Sequence, residues 1–360
     1  MSKNPNAIDF SALRRVLLIK LRHHGDVLLT SPVIQVLKNH YPHLEIDALV
    51  YAETRDMLSG HPGLSELHLI DRNWKNKGVG YQVREELALF NRLKTRSYDL
   101  VIHLTESNRA AWLCHFLKPR YAITPVWRNK TWFWKHSFTH HYPLPSRLRH
   151  TVEKHLDALR HLGLHPNDEE RGLVMAPGEE AERRVQELLQ QHDLDGQGFI
   201  HFHPTSRWLF KCWSAGRCRS LIELLQERGH RVVITAAPAK AELAMISNIL
   251  EPLEQPVIDL SGQLSLKELA ALTARALCFV GMDSVPMHIA AAMGTPTVAL
   301  FGPSGDQEWG PWMVPNHILI SDISCRPCGM DGCGGSKISD CLEHIQAEDA
   351  LGAIEDLIAS

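Results

Sequence analysis

The feature that most constrains this chain is a rhythm: short apolar runs recur at intervals that leave room for one amphipathic helix between neighbours. In the first half they are VLLIKL (16–21), EIDALVY (45–51), LHLI (67–70) and LVIHL (100–104), with helix-patterned stretches at 31–41 and 83–95. Runs this short suit strands covered on both faces, and their alternation with helices is the mark of βαβ units in a parallel sheet. The pattern then starts again. GFIHFHP (198–204), RVVITAAP (231–238), PVIDLSG (256–262), LCFVGMDS (277–284) and TPTVALFG (295–302) read as strands. Helices at 220–229, 265–276 and 285–294 separate them.

Two such halves predict two doubly wound α/β domains facing a cleft. The periodicity breaks in GLHPNDEERGLVM (163–175), where Gly, Pro, Asn and charge cluster. Domains are expected at 1–168 and 169–344, with a final helix at 345–360 that could return to the first domain. A length of 360 residues fits two cores. The formal net charge of −3 points to no nucleic-acid partner. No apolar run approaches the roughly 18–20 residues of a membrane span, and none resembles a signal peptide, so a cytoplasmic location is expected.

Chemistry concentrates in loops that follow strands. LRHHGDVLLTSP (21–32) has the strand, turn and helix of a nucleotide-binding unit. Its turn, however, carries Gly25-Asp26 before a helix expected to begin near Val27, and a carboxylate there would repel a diphosphate. In the second half, HPTSRWLFKCW (203–213) offers the hydroxyls of Thr205 and Ser206 and the charges of Arg207 and Lys211. That set suits a diphosphate, or equally a solvated loop. In VGMDSVPMHIAAAMG (280–294), Asp283 and Ser284 stand where a helix begins, either as caps or as part of an anion site, and His288 falls inside that helix as a core histidine. LFGPSGDQEWGPW (300–312) could wall a ligand or simply connect elements. No G-x-G-x-x-G or P-loop follows any strand, which weighs against a nicotinamide-dependent oxidoreductase or a kinase.

Taken together, HHGDVLLTSPVI, PTSRWLFKCW, GMDSVPMHIAAAMGTPTVALFGPS and WGPW resemble glycosyltransferase family 9, the ADP-heptose:lipopolysaccharide heptosyltransferases, over nearly the whole chain. Within the family the likeness is to the heptosyltransferase III type. The resemblance implies a GT-B architecture, with acceptor bound mainly by the first Rossmann-like domain and ADP-heptose by the second. It further implies an inverting single displacement that requires no metal, on a lipopolysaccharide core acceptor at the cytoplasmic face of the inner membrane. By motif match Asp26 is the general base. Thr205, Ser206 and Lys211, with Arg207 nearby, hold the ADP phosphates, and Asp283 and Ser284 hold sugar and diphosphate while His288 supports them. The chain departs from the family after the AAP loop, where Lys240 replaces an acidic ribose contact and Glu242 follows two positions on. A non-catalytic carbohydrate-binding relative is the remaining alternative.

Two further stretches carry chemistry. Between Glu106 and Glu153 there is no acidic residue, yet Arg109, Lys118, Arg120, Arg128, Lys130, Lys135, Arg147 and Arg149 occur there. Within it, PVWRNKTWFWKHSFTHH (125–141) adds Trp127, Trp132, Phe133 and Trp134. The segment is expected to bind a phosphorylated acceptor through Arg128, Lys130 and Lys135 and to face the membrane, the alternative being a surface loop with tryptophans packed inward. CRPCGMDGCGGSKISDC (325–341) places Cys325, Cys328, Cys333 and Cys341 in C-x2-C-x4-C-x7-C spacing. Four thiolates so spaced could hold a structural Zn or Fe ion, or remain free thiols.

Overall fold

The structure, a computed structural model, describes residues 4–128, 130–144 and 148–359. The chain divides into two compact units, Met1–Met175 and Ala176–Ser360. Each is built on a parallel six-stranded sheet among the described residues.

The first sheet contains β1 (Arg15–Ile19), β2 (Glu45–Tyr51), β3 (Glu66–Ile70), β4 (Leu100–His103), β5 (Tyr121–Pro125) and β6 (His140–Tyr142), in the order β3-β2-β1-β4-β5-β6. The second contains β7 (Ile200–His203), β8 (Val232–Ile234), β9 (Ile258–Asp259), β10 (Cys278–Met282), β11 (Thr297–Leu300) and β12 (Asn316–Leu319), in the order β12-β11-β10-β7-β8-β9. Both follow the doubly wound order of a dinucleotide-binding sheet. Each therefore has a switch point, β1 beside β4 and β7 beside β10, where loops leaving the carboxyl ends diverge and ligands bind.

The central strands are apolar because helices cover both faces. Leu17, Ile19, Leu49 and Val101 pack with Leu89 and Leu93 of the helix Val79–Arg96 in one core. Ile200, Phe202, Val280, Val298 and Leu300 pack with Leu221, Ile222 and Leu225 of the helix Ala215–Glu227 in another. At the second switch point Gly281 lies opposite His203. A Cβ on Gly281 would come within 2.7 Å of the Phe279 ring and 3.2 Å of the His203 carbonyl oxygen, so only glycine lets the two strands approach here.

The units part after Met175 rather than Asp168, because residues beyond 168 are tied to the first unit. Arg171 pairs with Glu153 at 2.7 Å, Glu170 with His40 at 3.0 Å, and the Val174 amide donates to Ser31 Oγ at 2.9 Å. The helix Ala347–Ala359 belongs to the second unit. It packs on the helix Ala215–Glu227 and on β10, β11 and β12, burying Ala350, Leu351 and Ile354. Full burial of each such Leu or Ile is worth about 1.5–3 kcal/mol, enough to fix the helix where its apolar face is covered.

Candidate functional site

At the first switch point the chain leaves β1 through Lys20, whose side chain is buried despite its charge. Its ammonium donates to the Leu104 carbonyl at 3.2 Å, meets His155 Nε2 at 3.0 Å and faces Asp26 Oδ1 at 3.5 Å. Burial pushes the Lys20 pKa down, and Asp26 opposes that by favouring the charged form. Asp26 lies within the short helix His24–Leu28, not ahead of a helix starting at Val27, and it stands in the first turn where a carboxylate is favoured. The carboxylate is a fifth exposed while the ammonium behind it is not, so Asp26 presents an accessible, counter-charged proton acceptor.

At the second switch point the loops after β7 and β10 meet. Lys211 Nζ lies 2.6 Å from Asp283 Oδ2, the lysine being the more open partner. Ser284 precedes the helix Val285–Ala292, but its hydroxyl does not cap it. The Oγ is shielded from solvent and has no hydrogen-bond partner among the described residues. The capping alternative is thereby excluded for Ser284. A buried hydroxyl without a partner at a helix start suits a ligand oxygen.

Thr205 is fully buried, and its hydroxyl donates to Glu242 Oε2 at 2.7 Å. Behind it, His203 Nε2 stands 3.4 Å from the same hydroxyl. Thr235 Oγ1 sits 2.8 Å from both His203 Nδ1 and His201 Nε2. Burial drives both histidines down to about 3, so they stay neutral and act as fixed hydrogen-bonding groups. Glu242, in the helix Lys240–Leu250, is buried beside Thr205, whereas Lys240 at the helix start is exposed. Ser206 is buried, and Arg207 is exposed with its guanidinium 5.4 Å from the Trp208 ring. His288 is buried in its helix, as a core histidine would be.

In the basic segment the tryptophans divide. Trp134 is buried, whereas Trp132 is 73% exposed and Trp112, on the helix Asn108–Leu117, is 52% exposed. Lys130 Nζ pairs with Glu106 at 2.6 Å and lies 4.8 Å from the Trp134 ring, while Arg128 and Lys135 are exposed. Arg109 is taken up by Glu86 at 2.7 Å, and Arg149 by Asp157 at 2.8 Å and Glu153 at 3.2 Å, so these two cations are structural. Arg147 lies outside the described residues.

Cys325, Cys328 and Cys333 are exposed and Cys341 is buried. Among the described residues the one set of three ligand atoms gathered within 4.8 Å is Asp47, Glu66 and His68, with no cysteine in it. That set already holds a cation, because Arg96 Nε lies 2.8 Å from Asp47 Oδ2 and Tyr98 donates to the same oxygen at 2.7 Å.

Lys20 and His155 escaped the sequence reading. A lysine within the apolar run VLLIKL was the visible signal for the first. Nothing local marks His155, which is 135 positions from Lys20.

The chain is similar to known proteins over nearly its whole length. The family model for glycosyltransferase family 9 (heptosyltransferase) matches residues 86–338. Lipopolysaccharide heptosyltransferase 3 of Escherichia coli K12 is 36% identical over 348 residues, covering 94% of this chain and 96% of that protein. A crystal structure of a family 9 glycosyl transferase from Veillonella parvula superposes with TM-score 0.84 at 25% identity, covering 98% and 99% of the two chains. The E. coli ADP-heptose lps heptosyltransferase II superposes with TM-score 0.75 at 20% identity, covering 96% and 98%. The fold is thus the two-domain GT-B arrangement of Rossmann-like units, and the chain belongs to glycosyltransferase family 9, the heptosyltransferases.

Proposed function

We propose that this glycosyltransferase moves L-glycero-D-manno-heptose from ADP-heptose onto a heptose of the lipopolysaccharide inner core, as a heptosyltransferase III type enzyme, by an inverting single displacement. The observation that carries the chemistry is the pairing of functional groups with switch points: Asp26 at the first sheet, and Lys211, Asp283 and Ser284 at the second. The near full-length likeness to a lipopolysaccharide heptosyltransferase 3 supports the substrate class.

In this reading Asp26 accepts the proton of the attacking acceptor hydroxyl, with the Lys20 ammonium 3.5 Å behind it. Lys211 and the start of the helix Val285–Ala292 stabilise the charge that develops on the departing diphosphate. Thr205, Ser206 and Arg207 add donors to the phosphates, Asp283 and Ser284 meet the sugar and diphosphate, and Glu242, which accepts from Thr205, lines the nucleoside side. His288 supports that helix from within.

Arg128, Lys130 and Lys135 contact phosphates of the acceptor, and the exposed Trp112 and Trp132 rest on the cytoplasmic face of the inner membrane. Among the described residues no helix is long and apolar enough to cross a membrane, which is consistent with peripheral contact.

The test is mass analysis of lipopolysaccharide from a deletion strain, joined to transfer assays with purified protein. Loss of one branch heptose supports the reading. A deep core truncation would assign a heptosyltransferase I or II role, and stabilisation of the protein by NAD with none by ADP would overturn the transferase reading.

A further inference from the structure

We propose that His155 is a positioning residue for proton transfer: its Nε2 holds the Lys20 ammonium so that a remaining ammonium proton is directed at Asp26. The inference rests on the reading of Asp26 as general base.

Proton counting fixes the arrangement. His155 Nδ1 lies 2.9 Å from the Leu29 carbonyl oxygen, which can only accept, so Nδ1 carries the ring proton. Nε2 is therefore a bare acceptor, and at 3.0 Å it receives a proton from Lys20 Nζ. The Leu104 carbonyl at 3.2 Å takes a second. An ammonium has three protons, and Asp26 Oδ1, at 3.5 Å, faces the third. Leu29 also closes the short helix that bears Asp26. One imidazole thus grips both the turn that carries the base and the cation that faces it.

The site is dry enough for this to matter. Lys20 and His155 are both buried, and burial together with the Lys20 charge pushes the His155 pKa well down, which keeps the ring neutral. Arg22 and His103 also face Lys20, and His150 and Lys154 face His155. Burial and the Arg22 charge disfavour the ammonium, and the Asp26 carboxylate, with the acceptors on His155 and Leu104, sustains it.

The experiment compares kcat against pH for the wild type, His155→Leu and His155→Gln, with KM for ADP-heptose measured alongside. His155→Leu removes the acceptor. It should lower kcat about tenfold and move the alkaline limb down by about one pH unit, because a buried ammonium that loses a partner gives up its proton sooner. KM for the donor should stay within about twofold, since its groups lie in the second unit. His155→Gln can place its amide oxygen near the position of Nε2 and should restore the limb towards the wild type. An unmoved alkaline limb in His155→Leu, or a Gln variant no better than Leu, would overturn the proposal.

Nitrogen-15 NMR of the wild-type ring provides an arm that needs neither a variant nor turnover. The Nδ1–H tautomer at neutral pH is expected, and an Nε2–H or doubly protonated ring would refute the clamp. Should Asp26→Asn retain most turnover, the base reading fails and the proton-transfer role of His155 fails with it. The ring tautomer distinguishes that outcome from failure of the clamp itself.

Discussion

Lys211 Nζ and Asp283 Oδ2 lie 2.6 Å apart and join the loop after β7 to the loop after β10 across the switch point of the second sheet. The carboxylate is nearly buried and the ammonium is about a quarter exposed. Asp283 therefore aims the lysine, and the lysine keeps an open side for an anion. Ser284 follows directly, with its shielded and unpartnered hydroxyl.

Replacing Lys211 with Met should accordingly have two effects. ADP affinity should fall by about tenfold or more as a charge-assisted contact to phosphate is lost. The ligand-free protein should also melt earlier, because Asp283 is left with its charge uncompensated. Isothermal titration with ADP and a thermal melt check both, and unchanged ADP affinity would remove Lys211 from the donor site.

For Asp26→Asn the expected outcome separates binding from chemistry. The amide keeps the size of the side chain but cannot take a proton, so transfer should fall by about 10²–10⁴-fold. ADP affinity should be nearly unchanged, because the groups proposed to bind it lie in the second unit. A titration and a transfer assay on the same preparation decide the matter.

How much of this was legible in the sequence depends on whether a property is local. β1, β2, β4, β7 and β10 announce themselves as apolar runs because helices cover both their faces. β6 (HHY) and β12 (NHIL) do not, since they are short, polar, and at sheet edges. Asp26, Lys211 and Asp283 were readable because each sits in the segment that follows the carboxyl end of an apolar strand. The partners that set their geometry were not: His155 reaches Lys20 from a distant helix, and the unpartnered state of Ser284 is a fact about space rather than spacing.

The exposed aromatics predict membrane behaviour. Trp132 is 73% exposed and Trp112 52%, and Lys135 and Arg128 of the same basic segment are exposed as well. Cosedimentation with vesicles rich in anionic lipid should be strong at low salt and fall as salt screens the cations. Trp132→Ser with Trp112→Ser should weaken it several-fold while leaving ADP binding intact. Equal binding to neutral vesicles, or no loss in the double variant, would exclude this surface.

Buried histidines set the acid limit of stability. Burial lowers His61 to about 4, and His103, His201 and His203 to about 3, all from 6.5. Between those values the unfolded chain binds more protons than the folded one, so stability rises with pH. Their contribution is complete above 6.5 and is lost as pH falls toward 3, at up to about 1.4 kcal/mol per pH unit for each histidine. Urea unfolding at a series of pH values should show the midpoint dropping steeply below about pH 6. A midpoint flat across that range would mean these rings are not held neutral.

The cysteines separate into two populations that a thiol reagent can count. Cys325, Cys328 and Cys333 are exposed, so they should react with an aromatic disulfide in the native protein. Cys212 and Cys278 are pushed up to about 12 by burial, and Cys114, Cys218 and Cys341 are raised by the same cause. These five lack thiolate at neutral pH and should react only on unfolding. Native titration should therefore show a fast phase of three thiols, and Cys328→Ser should reduce it by one. A metal gathered by the C-x2-C-x4-C-x7-C segment would give the opposite pattern, because bound thiolates are withheld from the reagent and a chelator releases them. Stoichiometric Zn or Fe in the purified protein, with a fast phase that appears only after chelation, would show that the four sulfurs close around an ion.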